Sequence, residues 1–466
     1  MKKSSSRRSF LQNIAKSSAV LSTLPFAKNL LEEQIETRVI QPDQRFSTND
    51  RINLALIGCG IQGNADTHKA LEIPGVQLVA VCDLYSGRLE RAKEIWGNHI
   101  FTTKDYKSVL SRKDIDAVIV ATSDHWHDHI SKDALNAGKA VYCEKPMVHR
   151  IEEGHAVIQA QQKSGKAFQV GSQGVSSVVR KVARQMIKAG DIGQLNMVET
   201  ANDRFSANGA WQYSIPTDAS AATVDWEKFL GDAPKRPFDA TRFFRWRNYQ
   251  DYGTGVAGDL FIHLLSALHV TLDSHGPERI YGSGMLTYWK DGRDVPDVMM
   301  GIMEYPQSSA HPAFQCTLRV NFVDGSGGSW INRMVGSEGE IQFGYNGFTV
   351  KRNRLAKAPG YGNWDSFDTF SSSQQAEYKK WYEKTYPKPE DQKPTQFKEY
   401  RYEAPEWYDD HYDHFMDFFD AMRTGRNTIE DATFGLRAAG PALACNLSHF
   451  ERRIVRWDPE KMLEIK

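Results

Sequence analysis

No stretch of this 466-residue chain reaches the about 18 consecutive apolar residues of a membrane-crossing helix, so no membrane insertion is expected. Neither sign of charge is in excess: 58 Lys and Arg stand against 58 Asp and Glu. The basic surplus of a general nucleic-acid binder is missing, and no nucleic-acid partner is expected. Cysteine is scarce. Cys59, Cys82, Cys143, Cys316 and Cys445 are odd in number and form no C-x-x-C pair, which argues against a disulfide framework. There is no internal repeat and no low-complexity segment, which excludes a repeat architecture. What is there is an ordinary globular composition, 40% hydrophobic and 25% charged. At about 100–200 residues per domain, two or three domains fit the length.

The charge balance hides an asymmetry. Residues 1–27 hold Lys2, Lys3, Arg7, Arg8 and Lys16 and no acid; without them the balance is 53 against 58, a net of −5. A basic head, an apolar stretch from Phe10 to about Leu24 and an end at Leu24-Pro25-Phe26-Ala27 have the layout of an export signal. Ser6-Arg7-Arg8-Ser9-Phe10-Leu11 resembles the twin-arginine pattern S-R-R-x-F-L-K, with Gln12 in place of the lysine. Residues 1–27 are therefore expected to be a twin-arginine signal directing the protein to the periplasm or outside, and polar residues 28–50 a linker. Such signals carry proteins already folded in the reducing cytoplasm, which suits unpaired cysteines.

From position 51 the texture changes. Short apolar runs at 52–57, 78–82, 117–121 and 140–143 alternate with helically spaced stretches such as 88–96 and 130–137. This order implies βαβ units and a parallel sheet. A last strand at 168–170 completes a domain of residues 51–172. Val175, Val178, Val179, Val182, Met186 and Ile187 form one stripe of a helix ended by Gly190. Beyond it, 197–200, 280–288, 298–305 and 314–322 are β-like and predict a mostly antiparallel sheet, so 173–466 is expected to be a second α/β domain. Residues 351–405, rich in Lys, Pro, Gln and Tyr, read as a long surface excursion. Phe415, Phe418, Phe419 and Met422 mark a helix ending near Gly425, and 432–450 another.

Gly58-Cys59-Gly60-Ile61-Gln62-Gly63 is G-x-G-x-x-G between a predicted strand and a predicted helix, and Asp83 ends the second strand 20 residues after Gly63. Each part has a physical role in holding a dinucleotide. Gly58 makes a tight turn, Gly60 admits the pyrophosphate, and Gly63 lets helix and strand pack closely. Ile61 and Gln62 open the helix whose unpaired N–H groups face that anion. Asp83 suits the ribose hydroxyls and would repel a 2′-phosphate, which favours NAD over NADP.

Val141-Tyr142-Cys143-Glu144-Lys145-Pro146 places E-K-P at a strand end, where open parallel sheets bind ligands. After the glycine-rich residues 253–258, Asp259-Leu260-Phe261-Ile262-His263 is D-x-x-x-H. With fingerprint, E-K-P and D-x-x-x-H in this order, the sequence resembles the Gfo/Idh/MocA oxidoreductase family over about residues 51–460. Residues 288–297 and 456–460 resemble its exported bacterial branch with a longer C-terminal domain. The resemblance implies a doubly wound Rossmann domain followed by an α/β domain whose large open sheet covers the active site and mediates contacts in a homo-oligomer, a dimer or tetramer. It implies NAD(P)-linked chemistry on sugars, cyclitols and polyols. It implies Glu144 and Lys145 at the cofactor, Lys145 also at the substrate, His263 as acid/base, Asp259 as its substrate-binding partner, and a cis Lys145–Pro146 bond. The residues agree: Asp259 and His263 are i and i+4 and share a helix face, and a histidine supplies a base near pKa 7 without much tuning.

Thr122-Ser123-Asp124-His125-Trp126-His127-Asp128-His129 follows another predicted strand. The resemblance implies a strand-end histidine, matched by His127, with Thr122 beside it at the cofactor. No zinc-like spacing is evident and a helix would scatter these side chains, so no metal is expected. Asp124 is either a substrate contact or a helix N-cap. In the aromatic and basic run 244–252, Trp246, Arg247 and Tyr252 are candidate sugar contacts, with aromatic packing as the alternative. Trp211, Trp226 and Trp289 read as core.

These readings predict an exported NAD-dependent oxidoreductase acting on a hydroxyl of a sugar, glycoside or polyol. Outside the cytoplasm little free NAD is available, so the cofactor is expected to be loaded before export and recycled while bound. One alternative is a redox-neutral glycosidase, in which oxidation at C3 acidifies C2–H and permits elimination of the C1 aglycone. Relatives that cleave α-N-acetylgalactosaminides tend to have valine where Lys145 stands, so E-K-P argues against that branch. Another is a non-catalytic carbohydrate-binding protein retaining the fold, which the intact Lys145, Asp259 and His263 disfavour. The lack of a basic patch suits a neutral sugar.

Overall fold

The computed structural model describes residues 51–466. The expected signal and linker lie outside the described residues.

The first sheet has six parallel strands in the order β3-β2-β1-β4-β5-β6. They are β1 (Ile52–Ile57), β2 (Val76–Cys82), β3 (Phe101–Thr103), β4 (Ala117–Val120), β5 (Ala140–Glu144) and β6 (Phe168–Gly171). β4, β5 and β6 are buried at every residue, which is why they read as unbroken apolar runs: helices cover both faces of a parallel sheet. The covering helices are α1 (Ile61–Leu71), α2 (Ser86–Trp96), α3 (Tyr106–Leu110), α4 (His127–Asn136) and α5 (Gly154–Ser164). β3 has no apolar run of its own in the sequence. It is a three-residue edge strand with no buried position, so it leaves no hydrophobic pattern.

After α6 (Val178–Lys188) the chain enters an eleven-stranded sheet. Its spine runs through β11 (Ser329–Gly336), β7 (Leu195–Asp203), β10 (Phe314–Asn321), β9 (Val298–Tyr305) and β8 (Arg279–Met285). All of these pairs are antiparallel except β7 with β10. Alternation fixes which face is covered. In β9, Met299, Gly301, Met303 and Tyr305 are buried while Met300 and Ile302 are exposed. Between β7 and β8 lie α7 (Trp226–Leu230), α8 (Ala240–Phe244) and α9 (Ile262–Leu272). Trp211 and Trp226 are buried and Trp289 packs half-buried against the core.

The surface excursion carries regular structure. Beyond β12 (Gly339–Phe343) and β13 (Gly347–Arg354), it forms α10 (Ser372–Thr385), β14 (Thr395–Gln396) and β15 (Tyr400–Glu403). Tyr378 and Tyr382 lie one turn apart on α10 and meet Tyr361 and Phe367 in a local ring cluster. Aromatic side chains replace aliphatic periodicity there.

The C-terminal part does not stay with the second sheet. In α11 (Asp410–Thr424), Phe415, Phe418 and Phe419 are fully buried against the first sheet, and Phe415 stacks on Tyr142 of β5 with centroids 4.3 Å apart. The following α12 (Ala432–Glu451) lies along β8, and β16 (Val455–Asp458) and β17 (Leu463–Glu464) finish the edge.

Burial also fixes protonation. His414 of α11 bonds the Val170 carbonyl at 2.8 Å and Ser176 Oγ at 2.8 Å, and burial pushes its pKa down to about 4. His269 of α9 meets Tyr305 Oη at 2.9 Å, and burial takes it to about 3. Unfolded, both would protonate below about pH 6.5. The depressed folded values mean that stability is complete above that pH and is lost as pH falls towards 4. The thermal midpoint is therefore expected to fall steadily between pH 6.5 and 4, with a shallower slope in His414→Gln, as followed by circular dichroism.

Candidate active site

The fingerprint turn is built as its residue types require. Gly58 sits at φ +96°, and a Cβ there would stand 2.4 Å from the Ala121 carbonyl oxygen. A Cβ on Gly63 would stand 2.1 Å from the Gly58 carbonyl oxygen, so strand and helix touch through these glycines. The space over Gly60 is open, with nothing nearer than Arg88 at 3.8 Å. No side chain caps α1 at Gly60, which leaves its first N–H groups to a ligand. Ile61 is exposed at the mouth and Gln62 turns inward to bond Asp66 at 2.9 Å. At the end of β2, Asp83 accepts from the backbone N–H of Cys59 and Tyr85, and Arg88 Nη1 lies 3.3 Å from it. An open anion cradle with a carboxylate one strand away fits a nicotinamide dinucleotide.

At the end of β5, Lys145 crosses to the second domain. The Lys145–Pro146 bond is cis, as the resemblance implied. Lys145 Nζ donates to Asp259 Oδ1 at 2.9 Å and to the Asp259 carbonyl at 3.0 Å. Arg247 Nε donates to the same Oδ1 at 3.1 Å, with its guanidinium 4.2 Å from the centre of the Trp246 ring. Burial opposes the Asp259 charge, but Lys145 and Arg247 outweigh it and hold the carboxyl well below its usual range. Asp259 lies in a π-helical turn (Ala257–Phe261) that runs into α9, a feature that recurs at functional sites.

One turn on, His263 is open to the cleft although protein crowds it on all other sides. Desolvation and the Lys145 ammonium drive its pKa down to about 3. That lies below the base near 7 expected from its residue type, and the cation beside the imidazole favours its neutral form.

Other candidates play supporting parts. His127 is buried with Nδ1 2.8 Å from the Pro146 carbonyl and Nε2 3.2 Å from the Thr122 carbonyl. Carbonyls only accept, so both ring nitrogens must donate, and the ring is an imidazolium that ties β4 to the E-K-P turn. Burial opposes this charge, but Cys143, Asp124 and the Pro146 carbonyl raise its pKa to about 9. Asp124 does not cap its own turn; Oδ2 receives the backbone N–H and hydroxyl of Thr254, at 2.9 and 2.8 Å, ahead of the Asp259 turn. Glu144 is buried, with Oε1 2.8 Å from Gln173 Nε2. The Tyr252 ring is wholly buried against His125, Phe229 and Trp226, so it is packing and not a cleft contact.

Sequence reasoning missed Arg204 and Tyr213, which act on Asp259, and His411, which acts on His263 and Glu144. None lies in a recognisable motif; the topology of the second sheet and of α11 delivers them. A separate cavity of about 630 Å³, lined among others by His129, His149, Asp251, Asn446 and Phe450, is not lined by Lys145, Asp259 or His263.

Residues 52–172 match the model described as an oxidoreductase family with NAD-binding Rossmann fold. Inositol 2-dehydrogenase of Salmonella typhimurium is 30% identical over 167 residues, 35% of this chain and 49% of that protein. A glycosyl hydrolase family 109 protein of Shewanella sp. (strain ANA-3) is 36% identical over 112 residues, 22% of this chain and 25% of its own length. The chain thus spans about half or less of the curated relatives it matches. Among solved structures, levoglucosan dehydrogenase with NADH and levoglucosan superposes at TM-score 0.61 and 17% identity, over 87% of this chain and 99% of that one. Aldose-aldose oxidoreductase from Caulobacter crescentus with glycerol does so at TM-score 0.59 and 17% identity, over 87% and 99%. At these identities the two structures show the shared fold.

Asp259→Ala would leave the Lys145 ammonium, 8% exposed, facing Arg247 without their common anion. A loss of about 3–5 kcal/mol in unfolding free energy is expected, measured by denaturant titration.

Proposed function

Since this chain belongs to the Gfo/Idh/MocA oxidoreductase family, we propose that it oxidises or reduces a hydroxyl-bearing carbon of a sugar, glycoside or polyol, with NAD as cofactor. The observation that carries this reading is the Lys145–Asp259 bridge across the domains, with neutral His263 opening beside it. The cofactor, when bound, supplies the hydride acceptor. The chain's own residues handle the proton and the oxygen. His263 takes the hydroxyl proton on a free ring nitrogen. Lys145, held by Asp259, presents its one remaining N–H to the substrate oxygen and stabilises negative charge developing there. Trp246 and Arg247 form a wall suited to a sugar ring. Among the described residues the cysteines are all buried and unpaired, which supports folding in a reducing compartment. Export by the twin-arginine route with cofactor already bound and recycled is part of this proposal. So is a homo-oligomer formed through the open face of the second sheet, where Tyr281, Met300, Ile302 and Trp330 are exposed.

The family 109 relative supports a second reading, glycosidic cleavage through transient oxidation. One experiment separates the two. Purified protein is incubated with sugars and glycosides, and reduced nicotinamide absorbance and product masses are followed. A keto-sugar with reduced cofactor supports the first reading; glycosidic products without net reduction support the second; no product from any substrate rejects both.

His263→Gln is expected to lower turnover about 10²–10⁴-fold while dinucleotide affinity is kept, as seen by fluorescence titration. His263 works unprotonated, so activity should be lost only as pH falls through its depressed pKa. Lys145→Met removes the neighbouring cation, so the residual activity should fail at a higher pH than in the parent.

Asp83 opposes a 2′-phosphate and occupies Arg88. In Asp83→Ser, Arg88 is released to a phosphate. The NADP-to-NAD affinity ratio should rise by about tenfold or more, measured by calorimetry.

A further inference from the structure

Asp259 is shared by more cationic groups than its single charge can match. Lys145, Arg204 and Arg247 all act on it, and it is the one carboxylate hydrogen-bonded to any of them among the described residues. Asp124, near Lys145 and Arg247, is hydrogen-bonded to neither and instead accepts from the Thr254 N–H and hydroxyl through Oδ2. Cations in a desolvated cleft are costly without a counter-charge.

The donors are also unspent. Arg247 uses Nε on Asp259 and lies on Trp246, which leaves both terminal nitrogens. Arg204 uses Nη1 on the Gly209 carbonyl at 3.1 Å and lies over Phe322, which leaves Nε and Nη2. Tyr213 stands among Arg204, Arg247 and Asp259. Arg204, Arg247 and Tyr213 are each only partly buried, so these polar atoms are not sealed within the core. The pyrophosphate is not their anion, since its cradle at Gly58–Gly63 lies at the head of α1 on the first domain, whereas these residues come from the second.

We propose that Arg204, Arg247 and Tyr213 form an oxyanion subsite, and that the sugar or polyol handled beside Lys145 and His263 carries an acidic group: a carboxylate, or a phosphate ester. This rests on the sugar reading above. A guanidinium fork matches two oxygens of either group, and each charge-assisted bond is stronger than one to a hydroxyl.

The test is calorimetric titration of NAD-saturated protein with D-glucuronate, D-galacturonate and D-glucose 6-phosphate, against D-glucose and D-galactose. The acids should bind about tenfold or more tightly than the neutral sugars, with the advantage shrinking as salt rises. Which acid binds separates carboxylate from phosphate. Arg204→Gln should collapse the acid-to-neutral ratio, Tyr213→Phe should reduce it, and Arg204→Lys should retain part of it. Acids that bind no better than neutral sugars, or a ratio unchanged in Arg204→Gln, overturn the subsite while the cofactor reading stands. A loss of NAD affinity in Arg204→Gln also overturns it by assigning the cation to the cofactor. Protein that binds no dinucleotide at all defeats the earlier reading, and the subsite with it.

Discussion

The ion pair between Lys145 and Asp259 is the constraint around which the molecule is arranged. It joins the end of a parallel strand in one domain to a π-helical turn in the other, at 2.9 Å and nearly sealed from solvent. Removing two charges from water is expensive, and such a pair repays the cost only when its geometry is good and its other hydrogen-bonding capacity is used. Here the ammonium also meets the Asp259 carbonyl, and the carboxylate also takes Arg247. Two further contacts brace the elements that carry it: Asp124 holds Thr254 ahead of the turn, and His127 holds the Pro146 carbonyl behind the lysine. Much of what surrounds the pair thus serves to keep one lysine and one aspartate in register across a domain boundary.

Two histidines show how the same side chain is set to opposite tasks. His127 and His263 both suffer desolvation, which alone would make each neutral. His127 faces two carbonyl oxygens, one at each ring nitrogen, so it is held charged and acts as a bolt. His263 has a lysine ammonium beside it and remains an unprotonated base. The lysine therefore acts twice, once on the substrate oxygen and once through its field on the base. A site that keeps its base empty of protons gains readiness but gives up basicity, and the neighbouring cation is then needed to steady the oxygen that loses the proton.

Much of this was legible in the sequence where a periodicity or a motif reports directly on backbone. Alternating apolar runs foretold the parallel sheet, G-x-G-x-x-G its turn, and E-K-P with D-x-x-x-H the residues that meet. Side-chain environment was less legible. Tyr252, Asp124 and His127 occur in suggestive runs, yet one is wholly buried packing and the others are internal braces, because their orientation depends on partners far along the chain. Arg204, Tyr213 and His411 had no local signal. A strand end, a loop and the first turn of a late helix carry them to the cleft, and only the closed topology reveals that.

Overall charge is a coarse guide for a related reason. A chain with 58 cations and 58 anions suggested a neutral ligand, but a sum over the chain says nothing about a cleft a few residues wide. Hydrogen bonding changes the count, because an acid engaged elsewhere, as Asp124 is with Thr254, offers less to a neighbouring arginine that cannot lose its proton. What a ligand meets is the set of groups still ionised and still unpaired at the point of contact. At Asp259 those groups are guanidinium nitrogens, held by one anion that already belongs to a lysine.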